Sequence, residues 1–164
     1  MKVSFITYHD EDNYGATLQA YATYKAIEFL GYEPEVINLH LPRRFGLLTR
    51  VLFSLKRMRF NEFRTKYLPN KTKVYRSLTD LQLEPPKSDV YLVGSDQTWN
   101  PSISKENALA YFLDFGSDKT KRISYASSFG TSQWIDSVYV NTEKVNQLLS
   151  RFSKVLVRES RAID

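Results

Sequence analysis

The chain has no cysteine among its 164 residues, which excludes disulfides, a thiol nucleophile and a cysteine metal site. It has two histidines, His9 and His40, and neither has a second histidine at ligand spacing, so no metal site is expected. No apolar run approaches the roughly 20 residues that a membrane-spanning helix needs. The apolar stretch at the N-terminus, Val3 to Tyr8, is far too short for a signal peptide, and a cytoplasmic protein is expected. Neither a Walker pattern nor a Gly-x-Gly-x-x-Gly run occurs, so no phosphate-cradling loop is predicted. Internal repeats and low-complexity linkers are also missing.

What remains is an ordinary globular composition, with 42% hydrophobic and 25% charged residues, eleven Tyr and ten Phe. The length suits one domain with a real core, taken as residues 1–164. The net charge of +5 is local. Between Arg43 and Lys66 eight Lys and Arg face a single Glu62, a net +7, so the rest of the chain carries −2. Such a segment fits a polyanion, an acidic glycan or an anionic membrane surface, and it fits a solvated helix face equally well.

Period and punctuation predict an alternation of strands and helices. Val3 to Tyr8 reads as a first strand, and Ala16 to Leu30 as a helix stopped by Gly31. That helix is apolar nearly all round, which predicts burial on several sides. Glu35 to Leu39 reads as a second strand, and Gly46 to Tyr67 as a helix with Leu48, Val51, Leu52, Leu55 and Met58 on its apolar face. One turn of helix is expected around Ser77 to Leu83, and a third strand over Asp89 to Val93. The stretch Ser95 to Phe115 shows no period and reads as a long functional loop. Arg122 to Ala126 forms a fourth strand, Asn141 to Phe152 a helix, and Lys154 to Val157 a fifth strand. The fold class is therefore α/β, Rossmann-like and doubly wound, with a mainly parallel sheet.

In such sheets ligands bind past the carboxyl ends of the strands. Those ends carry Asn13 and Gly15, Asn38, Gly94-Ser95-Asp96-Gln97, Ser127-Ser128, and Arg158-Glu159. Their convergence on one edge is the case for a site there, since a single polar residue after a strand is unremarkable. Asp96 is placed either as a general base that orients a hydroxyl or as the cap of its own turn. Arg158 offers a planar fork for carboxylate or phosphate, or a surface partner for Glu159. Trp99 could stack on a sugar face, although a large aromatic is more often core.

The motifs also resemble a known family. Asn13-Tyr14-Gly15-Ala16-Thr17-Leu18-Gln19-Ala20-Tyr21-Ala22 looks like the N-terminal signature of the polysaccharide pyruvyl transferases, and Val93-Gly94-Ser95-Asp96-Gln97-Thr98-Trp99-Asn100 resembles their central motif. Tyr111-Phe112-Leu113-Asp114-Phe115, Ile123 to Gly130 and Val157-Arg158-Glu159-Ser160 follow in the right order. The resemblance implies a fold similar to the N-terminal, acceptor-side domain of a two-domain GT-B-like transferase, with the C-terminal half outside this chain. It implies transfer of a pyruvyl group from phosphoenolpyruvate to paired hydroxyls of a surface-polysaccharide sugar, with no further cofactor. By resemblance Asp96 is the acid/base or hydroxyl-orienting residue and Arg158 a partner of the donor's carboxylate or phosphate. Asn13, Gly15, Gln19, Gly94, Ser95, Gln97, Trp99 and Ser127 then belong to substrate binding. The alternative is a non-catalytic module that binds a glycan or other polyanion through the basic helix 47–66, near Arg50, Arg57 and Arg64; no nucleic-acid motif accompanies the charge.

Overall fold

Four short strands, largely buried, pair in parallel to form the sheet: β1 (Lys2–Ile6), β2 (Glu33–Val36), β3 (Val90–Asp96) and β4 (Lys121–Ser127). Their order is β2-β1-β3-β4 in the computed structural model, which describes residues 1–40, 54–131, 134 and 136–160. Burial on both faces is what an all-parallel sheet requires, because its crossovers carry the covering layers. Val3, Phe5, Val36 and Val90 pack with Ala20, Tyr24, Ile27 and Leu68. Ile6, Tyr91 and Val93 belong to a second, larger cluster with Trp99, Tyr111, Phe112 and Leu113.

Helix α1 (Tyr14–Phe29) begins where Asn13 accepts a hydrogen bond from the Ala16 amide at 3.2 Å. It ends at Gly31, whose φ of +79° lets the Tyr32 amide turn back to the Ile27 carbonyl. Contrary to expectation, α1 is not enclosed. Ala16, Ala20, Tyr24 and Ile27 face inward, while Leu18, Ala22, Ala26 and Phe29 are exposed, Phe29 at 90%. A helix this rich in alanine looks apolar all round, yet only the stripe toward the sheet is buried.

Helix α2 (Ser54–Tyr67) lies against α1 through Tyr14–Phe60 and Tyr21–Phe63 ring contacts. Its inner face differs from the expected one: Phe60 and Arg64 are buried, whereas Leu55 and Met58 are exposed. Aromatic partners on α1 select that face, and the apolar period alone does not reveal them. Residues 46–53 of the expected helix, with Leu48, Val51 and Leu52, lie outside the described residues. The expected turn of helix around Ser77 to Leu83 is α3 (Leu78–Leu83), and Ser77 caps it.

The expected loop from Ser95 to Phe115 is instead folded. It holds α4 (Pro101–Ser104), a 3₁₀ turn (Lys105–Asn107) and α5 (Ala108–Tyr111). Asn100 caps α4 with Pro101 in its first turn. Pieces of four residues are too short to show a helical period, and the burial of Ala108, Ala110, Tyr111 and Phe112 holds them in place.

Beyond β4, Asn141 caps α6 (Thr142–Leu149). The expected fifth strand is reduced to two parallel bridges, Ile123 to Lys154 and Ser127 to Val157. The Ser124 hydroxyl interrupts the ladder: it donates to the Leu156 carbonyl and accepts from the Leu156 amide. At the opposite edge, bridges from Val36 to Lys71 and Leu39 to Tyr75 add an extended segment that periodicity did not predict. Among the described residues no helix is long and apolar enough to cross a membrane.

Candidate functional site

The strand order contains one reversal. From β1 the chain crosses to β2 on one side, and from β3 to β4 on the other. A crevice therefore opens past the carboxyl ends of β1 and β3, the general ligand position in doubly wound sheets. A cavity of about 510 Å³ lies there, within the size range of small-ligand sites.

One wall of the cavity follows β1 and continues into α1: Tyr8, Glu11, Asn13, Gly15, Ala16 and Gln19. Arg64 of α2, only 3% exposed, holds this wall from behind. Its guanidinium donates to the Glu11 carbonyl at 3.0 Å, the Asp12 carboxylate at 2.9 Å and Asn61 Oδ1 at 2.8 Å, and it approaches the His9 carbonyl at 3.5 Å. His9 is itself buried, with Nε2 at 3.0 Å from Asn38 Oδ1 and Nδ1 at 3.3 Å from the Thr7 carbonyl. Burial holds its imidazolium below the ordinary histidine range.

The opposite wall follows β3: Ser95, Asp96 and Gln97, with Ile103 of α4 and Arg158 completing the lining. Gly94 makes this turn feasible. Its φ is +116°, and a Cβ there would sit 2.2 Å from the Tyr125 carbonyl oxygen. The Gly94–Ser95 peptide is cis. Asp96 follows with φ +101°, a strained backbone for a residue with a side chain. Its Oδ1 accepts the Gln97 amide at 2.8 Å, and its carbonyl accepts the Ser128 amide at 3.0 Å. The turn-cap role of Asp96 is thus present, alongside its position on the cavity. A relay joins the two walls: Gln19 Nε2 donates to Thr7 Oγ1, which donates to the Ser95 carbonyl at 2.9 Å.

Of the residues singled out in sequence, Asn13, Gly15, Gln19, Ser95, Asp96, Gln97 and Arg158 share this one cavity. Gly94, Trp99 and Ser127 stand behind it. Ser127 is fully buried and donates to the Val93 carbonyl at 3.2 Å. Trp99 is core: it stacks on Phe112 at 5.4 Å and donates through Nε1 to the Tyr111 carbonyl at 2.9 Å. Tyr8, Glu11 and Ile103 line the cavity without having been singled out. Tyr8 read as strand and Glu11 as one member of an acidic loop, so neither carried a signal of its own. Arg158 keeps a half-exposed side chain with a loose 3.6 Å contact to Glu159. Among the described residues no three His, Asp or Glu side chains form a metal-ligand group.

The basic segment is divided. Arg64 is committed to the β1 wall, whereas Lys56, Arg57, Arg59 and Lys66 are exposed. Arg43, Arg44 and Arg50 lie outside the described residues.

Fold and site together define a Rossmann-like α/β protein with a polar cavity at its switch point. Residues 13–164 match the polysaccharide pyruvyl transferase family, and the chain belongs to it. No match was found among curated proteins or among solved structures.

Proposed function

We propose that this cavity is the acceptor side of an active site that moves a pyruvyl group from phosphoenolpyruvate to two hydroxyls of a polysaccharide sugar. The observation that carries the reading is the gathering of seven motif residues, from three separate parts of the chain, on one cavity. In the proposed reaction one sugar hydroxyl adds to C2 of the enol, and its proton, taken up by Asp96, is passed to C3, which becomes a methyl group. Phosphate leaves with its bonding electrons, and the second hydroxyl closes on C2, its proton ending on phosphate. Two carbon–oxygen bonds form to the sugar and one to phosphate breaks. Asp96 receives a hydroxyl proton, and the Arg158 fork meets the carboxylate or phosphate of the donor. The C-terminal half of a GT-B-like transferase would supply the remainder of the donor site.

Incubating the chain, alone and together with a GT-B-like C-terminal half, with phosphoenolpyruvate and an acceptor saccharide tests the assignment, and absence of ketal from both rejects it. Asp96→Asn should lower turnover at least about a hundredfold with the fold intact. Near-normal turnover would leave Asp96 as a turn cap only.

A separate contact is proposed for the exposed Lys56, Arg57 and Arg59, which suit the anionic inner face of a membrane or an acidic glycan. Cosedimentation with anionic vesicles that weakens as salt rises would support it; insensitivity to salt would reject it.

A further inference from the structure

Among the described residues four buried side-chain polar atoms lack a hydrogen-bond partner, and two of them, Tyr8 Oη and Gln19 Oε1, belong to side chains lining the same cavity. Buried polar groups are nearly always paired, so each such exception calls for a reason. Tyr8 is 6% exposed, and its ring packs on Tyr111 at 4.8 Å. The Ser104 hydroxyl lies near enough to offset part of the burial effect on the phenol but stands outside hydrogen-bond geometry, and it donates instead to the Asn100 carbonyl at 3.3 Å. Burial raises the Tyr8 phenol well above its ordinary range, so it stays protonated and able to donate.

The relay described above settles how Gln19 points. Thr7 Oγ1 gives its only proton to the Ser95 carbonyl, so it must accept from Gln19, and the group it faces is the Gln19 NH₂. The amide oxygen is thereby turned away from Thr7 and left without a donor.

We propose that Tyr8 and Gln19 form a subsite for a neutral, hydroxyl-bearing ring, at the wall where β1 passes into α1. This rests on the cavity being the acceptor side. A sugar hydroxyl both donates and accepts, so it can satisfy Gln19 Oε1 and the Tyr8 phenol at once. Phosphate or carboxylate only accepts. It would leave Gln19 Oε1 unpaired and would face the Asp96 and Glu11 carboxylates that line the same space. The anionic donor is therefore confined to the side of the cavity near Arg158.

The test titrates the chain with the methyl glycosides of galactose, glucose and mannose by ligand-observed NMR, with phosphoenolpyruvate as the anionic control. Tyr8→Phe removes one oxygen and leaves the ring. It should weaken the glycoside that binds about tenfold, as loss of a ligand hydrogen bond does, and leave phosphoenolpyruvate binding unchanged. Its melting temperature should equal or exceed that of the parent chain, because an unpaired buried hydroxyl has been removed. A lower melting temperature would mean that the hydroxyl is satisfied internally, and would overturn the proposal. So would unchanged glycoside affinity, loss of phosphoenolpyruvate binding in the variant, or binding of none of the three glycosides. The titration needs no turnover. A chain that binds a glycoside through Tyr8 but forms no ketal, alone or together with a GT-B-like C-terminal half, rejects pyruvyl transfer and keeps the subsite.

Discussion

The two walls of the cavity are held by different means. The β1 wall is a loop fastened by side chains: the Arg64 guanidinium behind Glu11 and Asp12, the His9–Asn38 pair, and the Asn13 cap. The β3 wall is fastened by backbone. Gly94 lies against the Tyr125 carbonyl, the Ser128 amide donates to the Asp96 carbonyl, and the Arg158 amide donates to the Ser127 carbonyl. A wall of the first kind fails when one side chain is shortened. A wall of the second kind is indifferent to most side chains and fails when an atom is added to the main-chain contact.

Gly94→Ala should break the β3 wall most severely. The new Cβ meets a backbone oxygen at 2.2 Å on a residue with φ +116°, so neither partner can simply rotate away. A loss of about 3 kcal/mol or more is expected in chemical denaturation. An unfolding midpoint like that of the parent would show that this wall yields more than its contacts suggest.

Arg64→Leu should cost about 2–3 kcal/mol, because it leaves the Glu11 carbonyl and Asp12 carboxylate without their buried donor. Amide exchange should quicken over residues 9–12 and stay unchanged at Ser95 to Gln97. Equal loosening of both turns would erase the distinction between the walls.

A smaller effect concerns pH and the β1 wall alone. In the folded chain burial keeps His9 neutral below its usual titration range, while in the unfolded chain it takes a proton near pH 6.5. The stabilising contribution of His9 is therefore complete above that pH and declines as pH falls below it. His9→Gln should flatten this part of the stability–pH curve measured by urea denaturation between pH 7.5 and 5.5, on the order of 1 kcal/mol or less over that span. A slope as steep as the parent's would place the titrating group elsewhere.

The least effect on stability is expected at Arg158→Gln, within about 0.5 kcal/mol, since the side chain is half exposed and only loosely paired. The same change should weaken phosphoenolpyruvate binding in calorimetry. A large loss of stability would make Arg158 a clamp like Arg64.

These two arginines also show how far the site was legible in advance. Both lie in polar, charged sequence, and one was read as a ligand for polyanions, the other as a ligand for the donor. Only the packing of α2 against the loop after β1 reveals that Arg64 has given its donors to the protein itself. Trp99 went the other way: the expectation that a large aromatic is core agrees with its burial under Phe112 and Phe129. Tyr8 was illegible because its ring behaves as core, while only the folded chain shows it lining the cavity with an unpartnered hydroxyl. The short helices after Asn100 escaped notice for lack of length, although the Asn-Pro start was there to be seen.

By itself the sequence determined where the four paired strands lie, the stop of α1 at Gly31, the helix starts near Ser77 and Asn141, and the polar residues that follow the strands. These depend on interactions within a few residues: apolar alternation, side-chain oxygens reaching nearby amides, and the turn propensity of glycine and asparagine. Strand order was decided only by the tertiary structure. A given set of apolar strands can pair in several orders with the same local pattern, and the choice of β1 beside β3 rests on pairing across more than 80 residues of chain. That choice opens the crevice, brings Gln19 to Ser95 through Thr7, and turns scattered polar residues into one site.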